Sequence, residues 1–184
     1  PLPPHRSRRA TSPVAELTPK ERLQPSLLDR LTDEEPSQRD ESRERRVLSW
    51  QRLREVVRRD LAWLFNTVNL DCVQSLADYP YVGRSVLNFG LPDLTGHTLS
   101  AVDTLQMERL LRQAIRDFEP RILPASLRVR LVVDPKLMSH NAMLFEIEGE
   151  LWAQPMPLQL YLRTEVDLEV GQALVTEATG SVSR

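Results

Sequence analysis

The spacing of apolar residues changes once along this chain, at Pro120, and that change limits the folds available to it. Before Pro120, in residues 47–64 and 98–118, apolar residues recur every three or four positions, which is the period of an amphipathic helix. Pro120 ends the second helix, because proline has no amide hydrogen and its ring clashes with the preceding turn. After it, apolar and polar residues alternate, as in strands with one buried face. Three such segments follow, at residues 126–134, 143–152 and 158–170.

These periods predict an α+β fold in which two amphipathic helices pack on one face of a three-stranded, or slightly larger, antiparallel sheet. The expected buried stripe of the first helix is Val47, Trp50, Leu53, Val57, Leu61 and Leu64. That of the second is Val102, Leu105, Leu110 or Leu111, Ala114, Ile115 and Phe118.

The flanking segments differ from this core in composition. Residues 1–24 hold five prolines and little apolar sequence, so they are expected to form a disordered arm. Residues 25–36 predict a short amphipathic helix, too short to be stable alone, which must pack on this domain or on a partner. Its apolar residues are Leu27, Leu28 and Leu31. The main domain is expected at 37–175 and a tail at 176–184.

The connection between the two helices, residues 66–97, is rich in glycine and proline but also carries large apolar residues. We expect it to be ordered and to bury those residues, which are Tyr79, Tyr81, Val86, Leu87, Phe89 and Leu91.

Composition places the chain among proteins of the cytosol. The net charge is −2 and the pI is near 6.0, so no overall field favours nucleic acid or an anionic membrane. The single cysteine, Cys72, excludes a disulfide within the chain. No apolar run approaches the roughly 20 residues of a membrane span, so no direct membrane insertion is expected.

An enzyme needs convergent reactive groups, and the sequence offers few. The carboxylates nearest apolar sequence are more simply explained as surface or capping charges. They are Glu55, Asp60, Asp93 and Glu119. Cys72 has no histidine at a useful position, and the histidines lack metal-ligand spacing. These are His5, His97 and His140. We therefore expect no catalytic residue, no metal and no cofactor.

The exposed face of the first helix is locally basic, with seven arginines between Arg43 and Arg59. Few aromatic residues accompany them and the total charge is negative, so nucleic acid is not the expected partner.

The sequence Glu119-Pro120-Arg121 joins the second helix to the sheet. Proline disfavours helical geometry in the residue before it, so Glu119 must leave the helix. A glutamate is also unfavourable at a helix C-terminus, where the dipole is negative, so capping does not explain it. The two charges are held on a stiff turn, where they pair either with each other or with another chain.

Four motifs in this order resemble the baseplate wedge family of contractile tails, a lysozyme-like family that includes TssE of the bacterial type VI secretion system. They are LLDRL (27–31), VVRRDLAWLFNT (56–67), YPYVGRSVLNFGLPDLTG (79–96) and FEPRI (118–122). The resemblance covers roughly residues 27 to 170.

The resemblance implies a structural, hetero-oligomeric role rather than catalysis. It implies that Glu119, Pro120 and Arg121 dock on the core formed by the wedge subunits TssF and TssG. Docking of Leu27, Leu28 and Leu31 on a partner is a separate hypothesis, whose alternative is packing on this domain's own surface. The resemblance also implies TssK as a neighbour and a link to the contractile sheath of TssB and TssC, in the bacterial cytoplasm at the inner face of the envelope. Sheath subunits add strands edge to edge, and the segment 158–170 is a candidate for the edge that continues this pattern, although the sequence does not indicate which edge of the sheet is free. The alternatives are a muralytic hydrolase and the equivalent wedge subunit of a phage tail.

Overall fold

The computed structural model describes residues 26–32, 49–95, 103–132, 141–153 and 156–178. The chain divides into two units, Pro1–Val47 and Leu48–Arg184. In the first unit the structure describes one short helix, α1 (Leu27–Leu31). Ser26 caps its N-terminus, because the Ser26 hydroxyl accepts a hydrogen bond from the Asp29 amide. The expected arm (1–24) lies outside the described residues.

The first long helix, α2, is Trp50–Phe65. Ser49 caps its N-terminus by accepting a hydrogen bond from the Arg52 amide. Leu53, Val57, Leu61 and Leu64 are buried as predicted, but the prediction of Trp50 in the stripe is wrong, since its side chain is 40% exposed in the first turn of the helix. The buried face of α2 also includes residues beside the predicted stripe. It consists of Leu53, Val56, Val57, Leu61, Leu64 and Phe65. Val47 lies outside the described residues.

After α2 the chain enters the connector, residues 66–95, which is built from short helical turns. The α-helical turn α3 is Pro80–Gly83, and two 3₁₀ turns lie at Leu70–Cys72 and Val86–Asn88. The two ends of the connector are joined, because the Asn69 amide donates to the Leu91 carbonyl and the Leu91 amide donates to the Thr67 carbonyl. These bonds give the connector a fixed shape.

The second long helix, α4, is Thr104–Phe118. Asp103 caps it by accepting from the amides of Leu105 and Gln106. The buried positions are Met107, Leu111, Ala114 and Ile115. The prediction of Leu105 in the buried stripe is wrong, since its side chain is 60% exposed in the first turn of the helix. Residues 96–102, where the helix was predicted to begin, lie outside the described residues.

Four strands form one antiparallel sheet in the order β1–β2–β3–β4. Their bounds are Arg128–Val132, Ala142–Leu151, Leu158–Asp167 and Gln172–Glu177. The alternating burial of β2 and β3 leaves one face apolar, and α2 packs on β4 and β3 while α4 packs on β1. The predicted α+β fold, with helices on one face of an antiparallel sheet, is confirmed.

The third strand is not an edge, so that prediction is wrong. β3 pairs with β2 from Leu158 to Asp167 and with β4 from Leu162 to Asp167. The predicted strand 158–170 ends early, because Asp167 begins a turn in which its side chain accepts from the amides of Glu169 and Val170. That turn returns the chain as β4, and the edges of the sheet are β1 and β4.

One polar side chain lies in the centre of this apolar core. Thr164 is fully buried on β3, and its hydroxyl has no hydrogen-bond partner within the described part of the chain. We expect Thr164→Val, which removes the hydroxyl at nearly constant volume, to raise the free energy of unfolding by about 1 kcal/mol. Urea unfolding checks this. Thr176→Val is the control, since Thr176 is exposed on β4. A destabilised Thr164→Val would show that the hydroxyl has a partner.

Candidate partner-binding site

The turn at Glu119-Pro120-Arg121 leaves α4 as the sequence predicted. Glu119 is the C-terminal cap of α4, with φ −122° and ψ 76°, outside the helical region. Its carbonyl accepts from the Ile122 amide at 3.2 Å, which closes a tight turn with the exposed Pro120 at its second position. The Trp152 amide donates to the Arg121 carbonyl at 2.7 Å, so the turn is also fixed to the end of β2.

Glu119 and Arg121 pair with each other. Glu119 Oε1 accepts from Arg121 Nε at 2.7 Å and from the Arg121 amide at 3.1 Å. Glu119 Oε2 accepts from Arg121 Nη2. Only 3% of Glu119 is exposed, against 27% of the Arg121 side chain. Of the two arrangements that the sequence left open, the internal pair is present, and it leaves Arg121 as the charged member that reaches the surface.

A second carboxylate joins this pair from the other helix. Arg121 Nη2 also donates to Asp60 Oδ2 at 2.6 Å, and Arg59 donates to Asp60 Oδ1 at 2.8 and 3.0 Å. We call Arg59, Asp60, Glu119 and Arg121 the Arg121 cluster. Two positive and two negative side chains alternate in it, which offsets much of the cost of burying them.

The cluster stabilises the charged form of Arg121. Burial alone would lower the pKa of its guanidinium, but hydrogen bonds and charges from Glu119 and then from Asp60 outweigh burial and raise the pKa above its ordinary value. Arg121 is therefore a permanent cation. It cannot act as a proton donor, but it can hold a fixed position for a carboxylate or carbonyl of another chain.

Two half-exposed tryptophans are joined to residues of the cluster, one through its ring and the other through its backbone. Trp63, one turn after Arg59 on α2, packs its ring 4.7 Å from the Arg59 guanidinium carbon, and 49% of it is exposed. Trp152 directly follows β2, donates its backbone amide to the Arg121 carbonyl, and is 50% exposed. We call Pro120, Arg121, Trp63 and Trp152 the Arg121 surface. Tryptophan and arginine are the residue types that most often dominate the energy of protein interfaces.

The connector presents a second apolar surface. The prediction that its large apolar residues are buried holds for Leu91, which is 3% exposed, but is wrong for four others. Tyr81 is 92% exposed, Val86 81%, Leu87 68% and Tyr79 57%. Because hydrogen bonds fix the backbone of the connector, these side chains are displayed on an ordered scaffold, which is typical of a contact surface.

The remaining predicted partner-binding residues lie in α1. Leu28 is 49% exposed and Leu31 is 74% exposed, whereas the side chain of Leu27 lies outside the described residues. Contact of these leucines with a partner stays a prediction.

Those carboxylates and the cysteine considered for catalysis that the structure describes are engaged in other contacts. Asp60 and Glu119 do converge, which the sequence did not indicate, but one guanidinium nitrogen bridges them and Glu119 is buried. Asp93 accepts from Thr95, and Cys72 lies near the Asp93 amide at 3.2 Å. The three histidines lie outside the described residues. Across the described ranges, no group of three His, Cys, Asp or Glu residues is placed to hold a metal ion.

Comparison with known families identifies the chain's class. A family model described as baseplate wedge protein gp25 matches residues 51–156, more than half of the 184 residues. The chain belongs to this family. The matched residues include all of α2 except Trp50, the connector and the whole Arg121 cluster. The resemblance drawn from the sequence motifs is confirmed.

The baseplate wedge family is a structural one, whose members assemble with other baseplate proteins of phages or type VI secretion systems. No curated protein and no solved structure matches the chain. None of the helices within the described ranges combines the length and apolar character that crossing a bilayer requires.

Proposed function

We propose that this chain is the TssE-type wedge subunit of a type VI secretion baseplate. It docks on the TssF–TssG core, with TssK as a neighbour. It links the baseplate to the TssB–TssC sheath. It acts without catalysis, in the bacterial cytoplasm at the inner face of the envelope. The family match supports the wedge role. The choice of the secretion system rests on the resemblance of the motifs to TssE, and the equivalent wedge subunit of a phage tail is the alternative.

The docking role is supported by the arrangement of residues in the Arg121 surface. Arg121 is fixed by Glu119 and Asp60, while its neighbours Pro120 and Trp152 are exposed. A cation whose side chain is already ordered loses little conformational entropy on binding, so its contacts contribute more to affinity. Partner groups of matching chemistry are carboxylates or helix C-terminal carbonyls for Arg121, with apolar side chains against Trp152.

The fold determines which variants test docking. Glu119→Ala is a poor probe, because it empties a buried position and leaves Arg121 without its main partner. Trp152 is better suited, since half of its surface is exposed and its backbone hydrogen bond to Arg121 does not depend on the side chain.

We expect Trp152→Ala to reduce co-purification with TssF and TssG at least about tenfold, the size of effect typical of a central interface tryptophan. The melting temperature should stay near that of the wild type. The matched control is Trp50→Ala, which removes a 40% exposed tryptophan ten residues, or roughly 15 Å, along α2 from Asp60. Wild-type co-purification of Trp152→Ala would reject docking through this surface. Failure of the wild-type chain to co-purify with TssF and TssG would reject the type VI assignment.

A further inference from the structure

The connector surface, which we define as Tyr81, Arg84, Val86 and Leu87, combines a cation with large apolar side chains. All three apolar side chains are more than half exposed, and 76% of the Arg84 side chain is exposed. Exposed apolar residues on a monomer are normally scattered singly, whereas these lie within the segment 81–87. Such a concentration of apolar side chains around one arginine is typical of a surface that another protein covers.

The backbone beneath the connector surface is fixed from two sides. The Asn88 side chain donates to the Gly83 carbonyl at 2.9 Å and accepts from the Asp71 amide at 2.9 Å, which joins α3 to the first 3₁₀ turn of the connector. The Phe89 ring packs edge-on against that of Phe118 in the last turn of α4, with the ring centroids 5.3 Å apart. An ordered scaffold of this kind reduces the entropy that binding costs.

Arg84 is held by this chain on one side only. Its Nη2 donates to Asp117 Oδ1 at 3.3 Å, and the other oxygen of Asp117 accepts from Gln113 at 2.9 Å. The Asp117 side chain is only 12% exposed, so it is a partner from within the domain. Within the part of the chain that the structure describes, the remaining N–H groups of Arg84 donate to no atom. The planar guanidinium can therefore bind a second carboxylate, from another chain, through two parallel hydrogen bonds.

The backbone of the connector surface offers little for an extended strand to pair with, because its turns use their own amides. The amides that donate within the connector are those of Val82, Gly83, Ser85, Leu87, Asn88 and Phe89. A bound segment is therefore recognised through side chains and must satisfy its own backbone groups, as an α-helix does. An amphipathic helix also presents a carboxylate and apolar residues one turn apart on the same face, which matches an arginine among apolar side chains.

We infer that the connector surface is a second docking surface, and that it binds an amphipathic helix of another subunit of the particle. A carboxylate of that helix pairs with Arg84, and its apolar side chains cover those of the connector surface. The connector surface shares no residue with the Arg121 surface, and its cation is held by Asp117, outside the Arg121 cluster. One chain can therefore contact two partner segments at once. The inference rests on the wedge role proposed above only for the source of the helix.

The first arm of the test identifies the bound helix. The photo-crosslinking residue p-benzoylphenylalanine replaces Val86 in the tagged full chain, and the producing cells are irradiated before the chain is purified. The expected product joins position 86 to one defined helical segment of a different subunit, and that segment contains an Asp or Glu. The matched control places the same probe at Gln159, exposed on β3, which should not give this product. No product at position 86, a product only between two copies of this chain, or the same product from both positions would overturn the inference.

The second arm measures the yield of that product when the charge of Arg84 is removed. Arg84→Gln should lower the yield about tenfold, because the carboxylate of the helix loses its partner. Replacing that carboxylate by its amide should cause the same loss, and the two changes together should cause little more. Asp117→Asn is the control for a purely structural role. It keeps the cation and an oxygen that can accept from Arg84, so the yield should stay within about twofold of the wild type. An equal loss from Arg84→Gln and Asp117→Asn would show that Arg84 only supports the connector, and would overturn its pairing with the helix.

Co-purification of the wild-type chain with TssF and TssG reports separately on the wedge role. A chain that co-purifies with both but gives no product at position 86 would overturn the connector site and leave the wedge role standing. The reverse result, the expected product without TssF or TssG, would reject the wedge role and retain the site.

Discussion

Replacing Arg121 by methionine is expected to lower the free energy of unfolding by about 3 kcal/mol, near the lower end of the range for broken buried ion pairs. The change leaves Glu119, which is 3% exposed, as a buried carboxylate without the guanidinium that bonds both of its oxygens. The lower end applies because 27% of the Arg121 side chain is exposed and solvent screens part of the interaction. Denaturant unfolding at neutral pH measures the loss.

Companion variants separate the partners of Arg121. Glu119→Gln combined with Arg121→Met removes both charges and should recover stability to within about 1 kcal/mol of the wild type. Asp60→Asn should cost only about 1 kcal/mol, because Asp60 is 24% exposed and Arg121 keeps its bonds to Glu119. A double variant as unstable as the sum of its two single variants would contradict the pairing, because it would show no coupling between the charges.

Substituting Gly90 by alanine is expected to cost at least about 2 kcal/mol, from backbone strain together with a steric clash. Gly90 has φ +127°, and a Cβ atom there would lie 2.3 Å from the Thr67 carbonyl oxygen. That oxygen also accepts from the Leu91 amide, so the clash falls on one of the bonds that close the connector. Denaturant unfolding gives the total cost, and hydrogen exchange of the Leu91 amide shows whether the connector opens by itself.

Gly83 is the matched control within the same connector. A Cβ atom at Gly83, in α3, would meet nothing within 4 Å. Gly83→Ala should therefore be neutral or stabilise the protein by up to about 1 kcal/mol, because alanine restricts the unfolded chain more than glycine does. Equal behaviour of the two variants would show that the connector does not need its closed shape.

The main elements of the fold could be predicted from local patterns. Pro120 determines where α4 ends, and the period of two identifies β2 and β3. β4 was missed because it has only six residues and its central Leu174 occupies the polar face, which interrupts the alternation. Because β4 was not predicted, the third predicted strand was a candidate for an edge of the sheet. The error about the edge of the sheet therefore followed from missing one short strand.

The candidate site was predictable only where its residues are close in the sequence. Glu119 and Arg121 lie on either side of Pro120, so their pairing could be expected from the turn. Asp60 lies 61 positions before Arg121 in the sequence and reaches it only because α2 packs beside the turn. No local sequence pattern predicts this contact. The exposure of Tyr81 and Val86 was missed because the burial of large apolar residues is only a tendency, and a local pattern does not show whether the rest of the fold covers them.

The Arg121 turn is attached to three parts of the fold at once. Its side chain is bonded to α2 through Asp60 and to the end of α4 through Glu119, and its carbonyl accepts from the residue that follows β2. A force applied to Arg121 is therefore distributed over both long helices and the sheet, and no single hydrogen bond bears all of it. A partner that contacts Arg121 is therefore connected to both long helices and the sheet. A force transmitted through an assembly would move this domain as a unit before it unfolded any part of it.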